Sequence, residues 1–166
     1  PIRKRYDIGY SAKFNRVVIP HRHYATGEIV GIIGRTINEL YEELDIPKYF
    51  PIIKYPKSNN LYGLYENYSE IQKKGYVVVY EAEKSVIKRS ARLDNTGVAL
   101  GCHTISKQQV NILKSLNTEI VIAMDKDVKL YDVLKICDEF YPLYNVSFIK
   151  DSFNILNEKD SPADTN

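Results

Sequence analysis

Apolar and polar positions follow two different patterns along this chain. From about residue 71 onward, compact apolar runs alternate with amphipathic stretches. YVVVY at 76–80 is apolar throughout, as a strand buried on both faces should be. Lys84 to Leu93 reads as a helix, and GVALG at 97–101 as the next strand. Ser106 has the position and chemistry of an N-cap for a helix running through Leu116. EIVIAMD at 119–125 predicts a third strand, Lys129 to Phe140 another helix, and VSFI at 146–149 a fourth strand. Strands that alternate with helices through short connections predict a parallel sheet covered by helices.

Residues 1–70 have a different texture. Short β-rich runs, RVVIP and EIVGIIGRTI, are separated by the turn-forming ATG. An amphipathic stretch follows around Ile37 to Leu44, and then the segment IPKYFPIIKYPKSNN. Pro47, Pro51 and Pro56 exclude a long helix there. Glu70 to Lys74 ends a short helix that Gly75 stops. The expected fold class is therefore α/β. An α+β N-terminal subdomain (1–70) precedes a domain with a mainly parallel four-stranded sheet flanked by helices (71–166).

Composition changes this picture little. At 166 residues, 44% hydrophobic and 27% charged, the chain has the makings of a folded core rather than of a disordered segment. It contains no apolar run of about eighteen residues, as a transmembrane helix requires, and no apolar stretch of a secretory signal in PIRKRYDIGY. A cytoplasmic location, in a bacterium or a phage-infected host, is expected, with no membrane partner. The absence of an initiating Met and the ending SPADTN suggest a piece of a longer protein. Cys102 and Cys137 lie far apart and form no CxxC pair, which argues against a structural zinc site or disulfide framework and for buried or partly buried free thiols. The net charge is only +2, but its distribution is uneven. Arg3, Lys4, Arg5, Lys13, Arg16, Arg22 and Arg35 face only Asp7 and Glu28 over the same stretch. That basic third is either a phosphate-facing surface or an ordinary solvated one.

In parallel α/β sheets the active site gathers at the carboxyl ends of the strands. Glu81 directly follows YVVVY, and IVIAM runs into Asp125-Lys126-Asp127. Carboxylates at i and i+2 of an extended segment point to one side. Beside Glu81 from a neighbouring strand they would form an acidic cluster that repels itself unless cations compensate it. Oxygen-only ligands at an open site suit Mg²⁺ or Mn²⁺. The other reading of DxD, a strand ending in an Asp-rich turn, stays open on spacing alone.

The acid spacing resembles the TOPRIM domain of primases, topoisomerases and some nucleases, and the upstream segments are similar to the DnaG-type (bacterial and phage) primase catalytic core. GYSAKFNRVVIPHRHYATGEIVGIIGRTI looks like that family's pair of strands closing on GxR. PKYF and KSNNLYGLYE resemble its PKY and K-x-x-x-LYGL segments, and KDSPADTN resembles KDPxD. The resemblance runs from about Asp7 to the last residue. It implies a DNA primase core that makes short RNA primers on single-stranded DNA from ribonucleoside triphosphates. Glu81, Asp125 and Asp127 would be catalytic and hold Mg²⁺ or Mn²⁺, with Asp160 and Asp164 completing the acids. Arg16, Arg35, Lys48, Lys57, Asn60 and Lys84 would contact template, nucleotide or primer. Tyr62 and Gly63 would shape the junction between subdomains. An upstream zinc-binding domain and a replicative helicase would be partners of the full-length protein. His21 and His23 match no ligand role and are expected on the surface. Two segments depart from the family: EAEKS stands where it has EGxxD, so Ser85 replaces a carboxylate, and DKDVKL stands for DGDxAG, which places Lys126 between the two acids. A TOPRIM nuclease, or a non-catalytic module binding single-stranded nucleic acid, are the alternatives.

Overall fold

A computed structural model describes residues 2–142, 145–157 and 160–165. Lys159 and Asn166, within the KDSPADTN segment, lie outside the described residues. The elements follow one another as α1 (Ile2–Arg5), β1 (Gly9–Ser11), β2 (Arg16–Arg22), β3 (Ile29–Thr36), β4 (Tyr49–Ile53), α2 (Leu64–Lys74), β5 (Tyr76–Tyr80), α3 (Glu83–Ala91), β6 (Gly97–Ala99), α4 (Lys107–Ser115), β7 (Glu119–Ala123), α5 (Leu130–Asp138) and β8 (Val146–Phe148). Short 3₁₀ turns occupy Lys57–Asn59 and Pro162–Asp164.

Two sheets result. The first is antiparallel, in the order β1-β2-β3-β4; the second is parallel, in the order β6-β5-β7-β8. The four strands expected after residue 71 are all present and parallel. In the first sheet, RVVIP and EIVGIIGRTI pair as expected. Two further strands flank them. One is β4, formed by YFPII in the Pro-rich segment; as an edge strand it tolerates Pro51, which has no N–H to donate. The stretch from Ile37 to Leu44 forms turns rather than a regular element and leaves Ile37, Leu40 and Leu44 exposed.

Burial on both faces accounts for the apolar run of β5. Val77 and Val79, with Ile120 and Ile122 of β7, join one core that takes in Leu64 and Ile71 of α2, Val110 and Leu113 of α4, and Val133 and Ile136 of α5. Val78, Tyr80 and Ala123 point the other way, into a second core with Val86 of α3, Ile19 of β2, Tyr6 and Tyr62. The second core therefore lies between the two sheets, and α3 is part of the seam. Successive side chains of a strand alternate between faces, so a strand covered on both sides must be apolar at every position.

The LYGL segment joins the two sheets. Tyr62 exchanges both backbone hydrogen bonds with Ala99 at the end of β6, at 3.0 and 2.9 Å. Gly63 then turns the chain into α2 with φ +81°, and a Cβ there would meet Val86 Cγ1 at 2.8 Å. Both the backbone conformation and the close approach require glycine at this position.

Candidate active site

The register of the parallel sheet sets the site. Tyr80 of β5 pairs with Ala123 of β7 and with Ala99 of β6. Glu81 directly follows Tyr80 and Asp125 follows Ala123 by two residues, so both acids leave the sheet at its carboxyl edge, on adjacent strands. The β6 end bends back toward them through Gly101 (φ +78°), whose N–H donates to the Glu81 carbonyl at 2.8 Å. That bend carries His103 to the site, with Nδ1 3.0 Å from Glu81 Oε2.

The electrostatics are those of crowded acids. Burial and then the Asp125 charge push the Glu81 carboxyl above its usual range, with Asp127 adding to the effect and His103 opposing it. Asp125 is likewise raised, by burial and Asp127, against a lowering contact from the Ser161 hydroxyl. Asp125 Oδ1 is a buried oxygen with no hydrogen-bond donor on it, and the buried Glu81 Oε2 faces only the His103 ring nitrogen. Carboxylates that repel one another, one of them with an unpaired buried oxygen, fit a cation, and oxygen donors fit a hard divalent ion such as Mg²⁺ or Mn²⁺. Among the described residues no three His, Cys, Asp or Glu side chains are grouped closely enough to hold an ion by themselves. Mg²⁺ usually takes one or two carboxylates and completes its shell with water and substrate phosphate, so the pair Glu81–Asp125 is consistent with that habit.

Asp160 and Asp164 are placed differently. Asp160 accepts from the backbone and side chain of Asn157, and its carbonyl accepts the Lys126 N–H at 3.0 Å. Asp164 caps the 3₁₀ turn through the Ser161 N–H at 3.0 Å and pairs with Lys88 of α3. Ser85, at the position of the missing carboxylate, is buried and donates to Ser161 Oγ at 2.9 Å. The Ser161 hydroxyl thus meets Asp125, and Ser85 supports it from behind. Lys126 turns away from its flanking acids: its ammonium holds Asp151 at 3.0 Å, Asn154 at 2.9 Å and the Leu156 carbonyl at 2.6 Å.

The basic candidates also separate. Arg16 is buried, donates to the carbonyls of Gly34 and Lys48 at 3.3 Å, and lies over the Phe50 ring. Asn60 is buried too, with Nδ2 on the Arg22 carbonyl (2.8 Å) and Oδ1 accepting from the Tyr24 N–H (2.9 Å), so it ties loops together. Lys48 sits over the Tyr41 ring. Lys57 reaches Glu83 Oε1 at 3.1 Å. Arg35 and Lys84 line one cleft between β3 and α3.

Two expectations need correction. His21 is not a surface residue; it is 1% exposed. Its Nδ1 meets the Tyr55 hydroxyl, its Nε2 lies 3.2 Å from Glu83 Oε1, and Tyr62 packs against the ring. Burial raises Glu83, but the His21 and Lys57 contacts outweigh it and bring the carboxyl down to about 2. A lone His in a strand gives no sign in sequence of a buried acid partner sixty residues away. Cys102 is the second correction: it is exposed, because it follows Gly101 in the turned-out end of β6, whereas Cys137 is partly buried; both are free thiols. His103 and Ser161 were also missed, since each reaches the site only through a loop that the sequence leaves unplaced.

No protein-family model matches the chain. It is 30% identical over 190 residues to the SPbeta prophage-derived uncharacterized protein YorJ of Bacillus subtilis (strain 168), an alignment that takes in 97% of this chain and 50% of that protein. The chain thus spans about half the length of the curated relative it matches. Among solved structures, the DnaG primase catalytic domain bound to single-stranded DNA superposes with a TM-score of 0.76 at 17% identity, over 98% of this chain and 61% of that one. A DNA primase domain from Pseudomonas aeruginosa gives 0.71 at 21% identity, over 96% and 51%. The chain has the fold of the DnaG primase catalytic core.

Proposed function

We propose that this chain, which has the fold of the DnaG primase catalytic core, is a metal-dependent nucleotidyltransferase that makes RNA primers on single-stranded DNA. The observation that carries the reading is the pair of half-buried carboxylates, Glu81 and Asp125, each pushed above its usual range at the carboxyl ends of adjacent parallel strands, with Asp125 Oδ1 free of any hydrogen-bond donor. Glu81 and Asp125 would hold Mg²⁺ or Mn²⁺, and Asp127 would contribute charge or a water-mediated contact. Once bound, the ion would lower the pKa of a primer 3′-hydroxyl and neutralise charge on the triphosphate. The chain's own part is positioning. Ser161, held by Ser85, orients Asp125; the Glu83–His21 contact fixes the turn that carries Glu81; Arg35 and Lys84 present cations to phosphate beside it. In this reading single-stranded DNA and ribonucleoside triphosphates are the substrates, and an upstream zinc-binding domain and a replicative helicase are partners of the full-length protein.

The test is incubation of labelled single-stranded DNA with Mn²⁺, with and without ribonucleotides. Extension products that need ribonucleotides are expected from the wild-type chain and none from Asp125→Ala at unchanged thermal stability. Cleavage of the DNA without ribonucleotides would replace the polymerase reading with a nuclease one. Full synthesis by Asp125→Ala would remove Asp125 from the site.

A further inference from the structure

A histidine stands at the acidic pair. His103 lies on the turn between β6 and α4, with Nδ1 3.0 Å from Glu81 Oε2. The turn is pinned along its length. Gly101 donates its N–H to the Glu81 carbonyl at 2.8 Å, and a Cβ at Gly101 would meet the Lys57 side chain at 2.9 Å. The Cys102 thiol donates to the Thr104 carbonyl at 3.0 Å, across His103. Ser106 then accepts the Gln109 N–H at 3.0 Å and starts α4. The backbone on both sides of His103 is therefore fixed, and the imidazole is set down beside Glu81.

Among the described residues Glu81 is the one hydrogen-bonding or ionic partner of the ring, whose side chain is 69% exposed. Its charge is also felt at Asp125, so the ring faces both acids. The distance to Glu81 suits two roles. It is that of a hydrogen bond, and it is also the spacing of two neighbouring ligands of an octahedral ion, which at about 2.1 Å from the metal stand about 3 Å apart. The donor set around it favours the second role. Ser85 occupies the position where the related motif has an acid, so the site is short of one oxygen ligand. Asp125 Oδ1 is buried with no donor on it. Glu81, Asp125 and His103 do not close into one shell by themselves, and the exposed imidazole is the member with room to turn toward an ion.

A nitrogen ligand changes which ion is preferred. Mg²⁺ keeps oxygen ligands and sheds its water reluctantly, whereas transition ions, of which Mn²⁺ is the first in the series, accept imidazole more readily. We infer that His103 Nδ1 joins Glu81 as a ligand of the divalent ion at the acidic pair and makes this site selective for Mn²⁺ over Mg²⁺. The inference rests on the metal-dependent reading of that pair. It adds a nitrogen to a set that the motifs alone would make entirely of carboxylates.

The test measures ion binding by the whole chain without nucleotide or DNA. MnCl₂ is titrated and followed by electron paramagnetic resonance, and MgCl₂ is titrated in competition with it. The wild-type chain is expected to bind Mn²⁺ about tenfold or more tightly than Mg²⁺. Pulsed spectra of the bound Mn²⁺ should show the nitrogen coupling of a coordinated imidazole. His103→Ala is expected to remove that coupling and to weaken Mn²⁺ binding about tenfold, while Mg²⁺ binding changes by less than about twofold. His103→Asp returns an oxygen ligand and should restore binding with the preference moved toward Mg²⁺. Unchanged melting of both variants in EDTA separates lost ligation from lost folding. A wild-type spectrum without nitrogen coupling, or affinities that His103→Ala leaves unchanged, would overturn the role of His103. If Asp125→Ala still abolishes ion binding in that case, the metal-dependent reading survives it. Nitrogen coupling that depends on His103 in a chain that makes no primer would leave the ligand assignment standing and remove the polymerase reading.

Discussion

At the scale of single residues, the informative side chains are those with unusual polar surroundings. Tyr62 is 2% exposed, and its hydroxyl is buried with no hydrogen-bond partner. An unmet hydroxyl in an apolar seam costs free energy that a phenyl ring does not. Tyr62→Phe is therefore expected to leave stability unchanged or raise it by up to about 1 kcal/mol in a urea melt, although Tyr62 lies in the LYGL motif. Glu83 is the opposite case, a buried carboxylate with two basic partners, Lys57 at 3.1 Å and His21 at 3.2 Å. Glu83→Ala strands both partners, and a loss of about 3 kcal/mol is expected from the same melt. The sequence identified Glu81 and Asp125 because they follow apolar runs, and position after a strand is a local property. It could not identify His21, Glu83, His103 or Ser161, whose significance comes from partners far away in the chain. Ser85 was legible only as a missing carboxylate; its hydrogen bond to Ser161 depends on the fold of the tail.

At the scale of elements, what was legible follows from how each element is stabilised. The strands of the parallel sheet are buried on both faces, so their sequence is apolar throughout and unambiguous. The α4 helix announces itself through Ser106, whose side chain accepts from the Gln109 N–H in a capping box. β1 and β4 were not legible: β1 has three residues, and β4 contains Pro51 and is partly exposed. Both depend on a neighbouring strand rather than on their own pattern. The two ends of α2 provide a comparison between glycines. Gly63 and Gly75 have nearly the same φ, +81° and +76°, but a Cβ at Gly63 strikes Val86 whereas none lies within 4 Å at Gly75. Gly75→Ala should cost about 1 kcal/mol of backbone strain, and Gly63→Ala about 2 kcal/mol or more, measured side by side by chemical denaturation. The start of β6 gives a pH test. Burial raises Asp94, but hydrogen bonds from Arg89 (2.9 Å) and Thr96 (2.8 Å) outweigh it and hold the carboxyl below its ordinary 3.8. A depressed carboxylate contributes stability above its unfolded pKa and loses it as pH falls through the folded one. Asp94→Asn should thus be less stable than wild type by about 1 kcal/mol near neutrality, and the gap should close below pH 3.8.

At the scale of the whole molecule, the two sheets are held together by a seam rather than by continuous strand pairing. Across it Tyr6 bonds to Asn67 (3.1 Å) and Ser90 (2.6 Å), His21 meets Glu83, and Tyr62 bridges to Ala99 while its ring packs between Tyr6 and His21. Glu81 leads directly into α3, which packs in the seam, so the seam positions the acidic pair as well as stabilising the fold. Removing the Tyr62 ring leaves a cavity where three elements meet, and partial collapse of its neighbours cannot fill it. Tyr62→Ala is expected to lower stability by about 4 kcal/mol, far more than Tyr62→Phe. Because the lost contacts lie between the sheets and not within either, the damage should be uneven. Hydrogen exchange of the variant should rise first for amides of β2 and β3 and for α3, while Val77, Val79, Ile120 and Ile122, deep in the core on the far face of the parallel sheet, keep their protection. Equal loss of protection on both faces would mean that the two sheets unfold as one unit and that the seam is no weaker than the cores it joins.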